Sequence, residues 1–142
     1  MGTLNHLNFA RVYTLGRISQ VNEASWDIQP TGFNNTIRWN VGHIYVNAEI
    51  LTQRAIPTYE IVHPEWVTLF VPGTKPSDWI VEPPTSDELV SALKEQAERI
   101  KDVLDDQLAN ILIESMSIGK LHKMKTVEAL VQFLVWHEGV HA

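Results

Sequence analysis

Apolar positions in this chain recur mostly at three- and four-residue spacings, the period of a helix with one face against a core. The first such stretch covers roughly residues 3–25, where Leu4, Leu7, Val12, Leu15, Ile18 and Val21 fall at helical intervals. The run IQPTGFNN follows, and its Pro30, Gly32 and paired asparagines predict a turn. Asn34 or Asn35 is the expected N-cap of a second helix, TIRWNVGHIYVNAEILTQRA, which Pro57 stops. A third helix opens at Thr85-Ser86-Asp87-Glu88, a spacing in which hydroxyl and carboxylate each satisfy an orphan amide. Its stripe runs through Leu89, Leu93, Ala97, Ile100, Leu104 and Leu108. The segment SMSIGKLHKMK reads as a polar connection around Gly119. TVEALVQFLVWHEGVHA reads as a fourth helix, with Val127, Leu130, Leu134, His137 and His141 along one face.

Residues 57–86 break this rhythm with six of the seven prolines and two tryptophans, and predict a long ordered loop with one helical turn around PEWVTLF. Trp66, Phe70 and Trp79 are expected to cover one end of the core. Four amphipathic helices, no strand and one long connection predict an all-α four-helix bundle, a single domain over residues 1–142.

Charge and composition narrow the function. The net charge of −6, with no like-charge run longer than three residues, argues against a nucleic-acid partner, which needs a basic stripe. The absence of cysteine excludes disulfides, thiolate ligands and a cysteine nucleophile, so any thiol chemistry needs an external thiol. No stretch approaches the roughly 20 apolar residues of a membrane span, and the first residues lack a signal-peptide pattern. A cytoplasmic protein without a membrane partner is expected.

The chemistry concentrates in HEGVH near the end of the sequence. His137, Glu138 and His141 fit H-E-x-x-H, the pattern by which zinc proteases place two metal ligands and a base on one helix. Helical geometry puts the two histidines about 40° apart and about 6 Å along the axis, so both reach one ion. Imidazoles hydrogen-bonded to carbonyls or carboxylates are the structural alternative. A third ligand must come from upstream. His6 lies in a first helical turn that frays, His122 in a lysine-rich connection, and His63 in the long loop before Pro64. His43 sits mid-helix in WNVGH, on one face with Trp39 and Asn47, beside a glycine that either marks close approach of a neighbouring helix or is incidental. Glu138 projects about 100° from His137 and about 60° from His141, as a base, an acceptor behind a ligand, or a solvent-facing or intersubunit carboxylate.

The stretches QPTGFNNTIRWNVGHI and KTVEALVQFLVWHEGVHA resemble the second-helix entry and last helix of the DinB-like four-helix metalloproteins. The resemblance spans essentially the whole chain and departs at its end, where only Ala142 follows the last histidine. It implies His43, His137 and His141 as three ligands of a divalent metal. Zinc or nickel comes first for neutral imidazoles, with iron, manganese or copper as further options. It also implies an enzyme that transfers a low-molecular-weight thiol, such as bacillithiol or mycothiol, to a small electrophile. A metal-assisted hydrolase with Glu138 as base and a non-catalytic metal-binding module are the alternatives. A homodimer paired through partly exposed Trp26, Trp66 and Trp79 is expected. Peptidase activity is not, since no strand is expected to supply an edge for an extended substrate.

Overall fold

The computed structural model describes residues 2–142 and is mostly helical. Its elements are α1 (Gly2–Ser19), α2 (Ile37–Ala55), the short α3 (Val67–Phe70), α4 (Ser86–Leu104), strands β1 (Ile111–Ile118) and β2 (His122–Thr126), and α5 (Val127–His141). α5 packs against α1 and α2, and both of these pack in turn against α4.

Local chemistry sets the element ends. α1 stops at Ser19 rather than near residue 25, because serine and asparagine side chains there take over backbone groups: Ser19 Oγ donates to Gly16 O and Asn22 Oδ1 accepts from Ala24 N. Thr36, not Asn34 or Asn35, caps α2, its Oγ1 accepting from Trp39 N. The capping box at α4 forms in both directions, between Thr85 and Glu88. α4 itself ends at Leu104, and Leu108 packs on the core from the connection beyond.

The segment expected as a polar connection is an antiparallel hairpin. Met116 pairs with Met124 and Ile118 with His122, with a bulge between Ile111 and Met116 and Gly119 at φ 53° in the turn. Its alternation is easily missed because one face is open to solvent. Leu112 and Met124 are buried, whereas Ile111, Ile113 and Leu121 are exposed. The hairpin lies against the start of α5, and His137 and His141 are at that helix's far end, about 15–21 Å along the axis. The hairpin corrects the expectation of no strand, and it lies at the opposite end of α5 from the histidines.

The core has two apolar clusters. One gathers Leu4, Leu7, Leu51, Leu104, Val127 and Leu130; the other gathers Ile18, Trp39, Tyr45, Trp66, Phe70 and Leu93. Trp66 and Phe70 are buried in one cluster of the core, with half-buried Trp79 packed on Phe70, as expected of aromatics in the loop. Trp26 and Trp66 are buried at 3% and 6% exposure, which removes them as exposed dimer contacts. Between the clusters lies a layer of buried polar side chains, Arg11, Thr14, Glu49, Gln96 and Glu138. The inward face of α1 is accordingly 4-7-11-14-18, and Val12, expected inside, is 59% exposed. Polar residues stand at helical core positions because their partners are there too.

Candidate metal centre

α2 and α5 meet face to face at the histidines. Positions 40, 43 and 47 of α2 are spaced three and four apart, so Asn40, His43 and Asn47 form one row. His137 and His141 form the facing row on α5. One ligand-type nitrogen from each of His43, His137 and His141 lies within 4.8 Å of the other two. The remaining histidines stay apart: His6 and His122 are exposed on α1 and β2, and His63 stacks on Trp66 in the loop with ring centroids 3.8 Å apart.

Each ring is held from behind. His43 Nδ1 donates to Phe70 O at 2.7 Å, which leaves its Nε2 as a lone pair. His141 Nδ1 lies 2.9 Å from Asn40 Oδ1 and donates to it, again freeing Nε2. His137 Nδ1 lies 3.1 Å from the Asn47 amide, and its Nε2 lies 3.0 Å from His43 Nε2. Trp39 stacks on His43 with centroids 4.7 Å apart and planes 11° from parallel, and its Nε1 donates to Thr74 Oγ1. Imidazole orientation is therefore set by groups outside the cluster, the usual device around metal-binding histidines.

Gly42 explains how a loop carbonyl reaches the middle of a helix. A Cβ at this position would lie 2.4 Å from the Phe70 ring, so only glycine lets α3 pack this close. The close approach suggested by the sequence is thus made by α3, from the long loop. It is this contact that brings Phe70 O onto His43.

The electrostatics favour neutral rings. Burial lowers the His43 pKa against the opposing effect of the Phe70 bond. Burial, with His43 and His141 adjacent, lowers that of His137 to about 4. Burial and the nearby His43 lower that of His141. At neutral pH all three are unprotonated bases, the form that binds a metal. The donor set fits a borderline divalent cation. Tetrahedral sites with metal–nitrogen bonds of about 2.0–2.1 Å keep their nitrogens about 3.3 Å apart, close to the spacing of the His43 and His137 nitrogens.

Glu138 is placed elsewhere. It is fully buried and faces α1, where Arg11 Nε and Nη2 donate to its two oxygens at 3.0–3.2 Å and Thr14 Oγ1 adds a bond at 2.9 Å. Arg11 Nη1 continues to Leu93 O on α4. The carboxylate is neither solvent-facing nor beside the imidazole nitrogens; it ties the histidine-bearing end of α5 to α1 and α4. Sequence reasoning missed Asn40 and Arg11. The offset of Asn40, three residues before His43 on the same face, was the available signal for the first. For Arg11 the signal was a charged residue four positions after Leu7 on an inward stripe.

A mostly helical protein with three convergent imidazoles between two helices belongs to the class of helical proteins with a candidate metal-binding centre. More particularly, residues 6–142 match the DinB superfamily, and the chain belongs to it. A search of curated proteins returned no match. Among the described residues no helix is long and apolar enough to cross a membrane.

Proposed function

We propose that this protein is a divalent-metal-dependent transferase that joins a low-molecular-weight thiol to a small electrophile, with His43, His137 and His141 holding the metal. The observation that carries the reading is the convergence of three neutral imidazoles whose outward nitrogens are engaged by Phe70 O, Asn47 and Asn40. When bound, a zinc or nickel ion would supply Lewis acidity that lowers the pKa of an added thiol. The balance is RSH + R′X → RSR′ + HX: a sulfur–carbon bond forms, X leaves with the carbon–X electron pair, and the thiol proton passes to solvent. The chain's own residues orient and desolvate the centre. Trp39 covers one face of His43, and the Asn40 and Asn47 amides fix the two histidines of α5. Lacking cysteine, the chain takes its thiol as a cosubstrate.

The hydrolase alternative loses its base, because the Glu138 oxygens are occupied by Arg11 and Thr14. Metal analysis should return one equivalent per chain. Adding a thiol to cobalt-substituted protein should produce a sulfur-to-metal charge-transfer band, and transfer to a small electrophile should be abolished by a chelator. Stoichiometric metal without that band or any transfer would leave a non-catalytic metal-binding module in its place. Ester or amide hydrolysis lost in Glu138→Gln would restore the hydrolase.

The same proposal takes α1, α2, α4 and α5 as a single-domain four-helix bundle of the DinB type, cytoplasmic and homodimeric. The dimer face it favours is the outer side of α1 and α5, where Phe9, Val12, Tyr13, Trp136 and Val140 are each more than half exposed. Light scattering at micromolar concentration should give twice the monomer mass, and Trp136→Lys should halve it. A monomeric parent chain would end the dimer proposal.

A further inference from the structure

A cavity of about 430 Å³ lies between the C-terminal half of α1 and the N-terminal half of α2, and His141 forms part of its wall. Its volume is that of a small-molecule pocket. Ile18, Val21, Ile37 and Ile44 supply apolar walls. Of the polar groups around it, Asn40 and Thr14 are already committed, whereas the Gln20 side chain also lines it. Asn40 is bonded through Oδ1 to His141 and through Nδ2 to Asn35 and Thr36. The Thr14 hydroxyl is bonded to Ala10 and Glu138. Arg17 differs. It lines the cavity, and no carboxylate among the described residues lies within ion-pair distance of it. Arg17 is solvent-exposed; Arg11, Arg38 and Arg99 are paired with carboxylates, and Arg54, which like Arg17 is not, lies away from this cavity.

We infer that this cavity binds a small carboxylate with a compact apolar body, the apolar part against Ile18, Val21, Ile37 and Ile44 and the carboxylate on the guanidinium of Arg17. An arginine fork matches a carboxylate in two parallel hydrogen bonds, and the aliphatic side chains of Ile18, Val21, Ile37 and Ile44 favour a ligand with an apolar body. Because His141 also borders the cavity, a ligand seated there lies next to the histidine cluster. The inference thereby deepens the transferase reading by naming the chemical class of its small substrate. It rests on that reading only for the ligand's role, since occupancy of the cavity can be measured without metal or turnover.

The test titrates octanoate, octanol and octylamine into the full chain, metal-free and zinc-loaded, by calorimetry or ligand-observed NMR. Octanoate should bind the metal-free chain at least about tenfold more tightly than either neutral or cationic analogue. Arg17→Gln should weaken octanoate by about tenfold and leave octanol unchanged, with Arg17→Lys falling between them. Ile37→Trp, which fills the wall, should weaken octanoate and octanol together. Equal binding of octanoate and octanol would overturn the inference. So would octanoate binding that appears only with zinc and ignores Arg17→Gln, because the carboxylate would then sit on the metal. Indifference of both ligands to Ile37→Trp would place them elsewhere, with the same consequence. If transfer activity were absent while octanoate bound as expected, the transferase reading would fail and the pocket would stand.

Discussion

Two buried polar constellations sit on the same helix, α2, and they are satisfied in opposite ways. Around Glu49, fully buried, the protein supplies every partner. Tyr59 Oη donates to both oxygens at 2.8–2.9 Å, Val62 N and Gln96 Nε2 donate at 2.8 and 2.9 Å, and Arg99 adds a charged bond at 3.1 Å. Burial first of all, with Glu49 beside it, raises the Tyr59 pKa to about 12 despite Arg99, so the hydroxyl remains a donor. Around His43 the protein engages the outward nitrogens, while the inward Nε2 atoms of His43 and His137 have only each other, at 3.0 Å. Neutral imidazoles have too few protons among them to pair every lone pair. A buried carboxylate bonded by Tyr59, Val62, Gln96 and Arg99 holds structure together, whereas three converging neutral imidazoles that have little but one another on their inner side form a group that could hold a cation.

The largest expected effect tests the first half of that contrast. Glu49→Ala leaves the Tyr59 hydroxyl and Val62 N without their acceptor and takes one carboxylate from Arg99 and Gln96, and should lower the unfolding free energy by about 3–5 kcal/mol, read by denaturant titration. Metal stoichiometry should not change. A loss below about 1 kcal/mol would mean that the network is not what stabilises this region.

His43→Ala tests the other half. Metal affinity in a competitive chelator titration should fall by more than the 10–100-fold that loss of an outer partner typically costs, about, at other sites. The metal-free variant should meanwhile keep more stability than Glu49→Ala does. Full occupancy in His43→Ala would show that the metal is held by other groups.

Smaller effects are expected one bond further out. Asn47→Leu and Asn40→Leu should each weaken metal binding by about 10–100-fold while leaving its stoichiometry alone. The two changes free different rings of α5, since Asn47 holds His137 and Asn40 holds His141. Affinities equal to the parent in both would deny the amides their orienting role.

A further effect is a pH dependence. The His137 pKa is about 4 in the folded chain against 6.5 for an ordinary histidine, so the unfolded chain binds its proton first as pH falls. Its share of metal-free stability is intact above about pH 6.5 and is lost progressively toward pH 4. Melting temperatures across that window should decline less steeply in His137→Ala than in the parent. Parallel slopes would show that His137 is not buried as a neutral base.

The positions of the four long helices along the chain were legible in the sequence wherever a local rule decided the outcome. Thr85 and Glu88 specify a helix start by their own hydrogen bonds, and the 127-130-134-137-141 stripe aims both histidines of α5 inward whatever packs there. WNVGH likewise marked His43 and its glycine from sequence alone. Other features depended on partners distant in the chain. The hairpin of β1 and β2 takes its register from pairing across a turn and from burying Met124, with one face left in water, so its apolar pattern is weak. Arg11 reads as a surface charge until Glu138, 127 residues later, is brought against it. Glu138 reads as a base until Arg11 and Thr14 occupy its oxygens. Helical period fixes which way a side chain points, but the role of a polar group depends on what it meets there, and only tertiary packing supplies that partner.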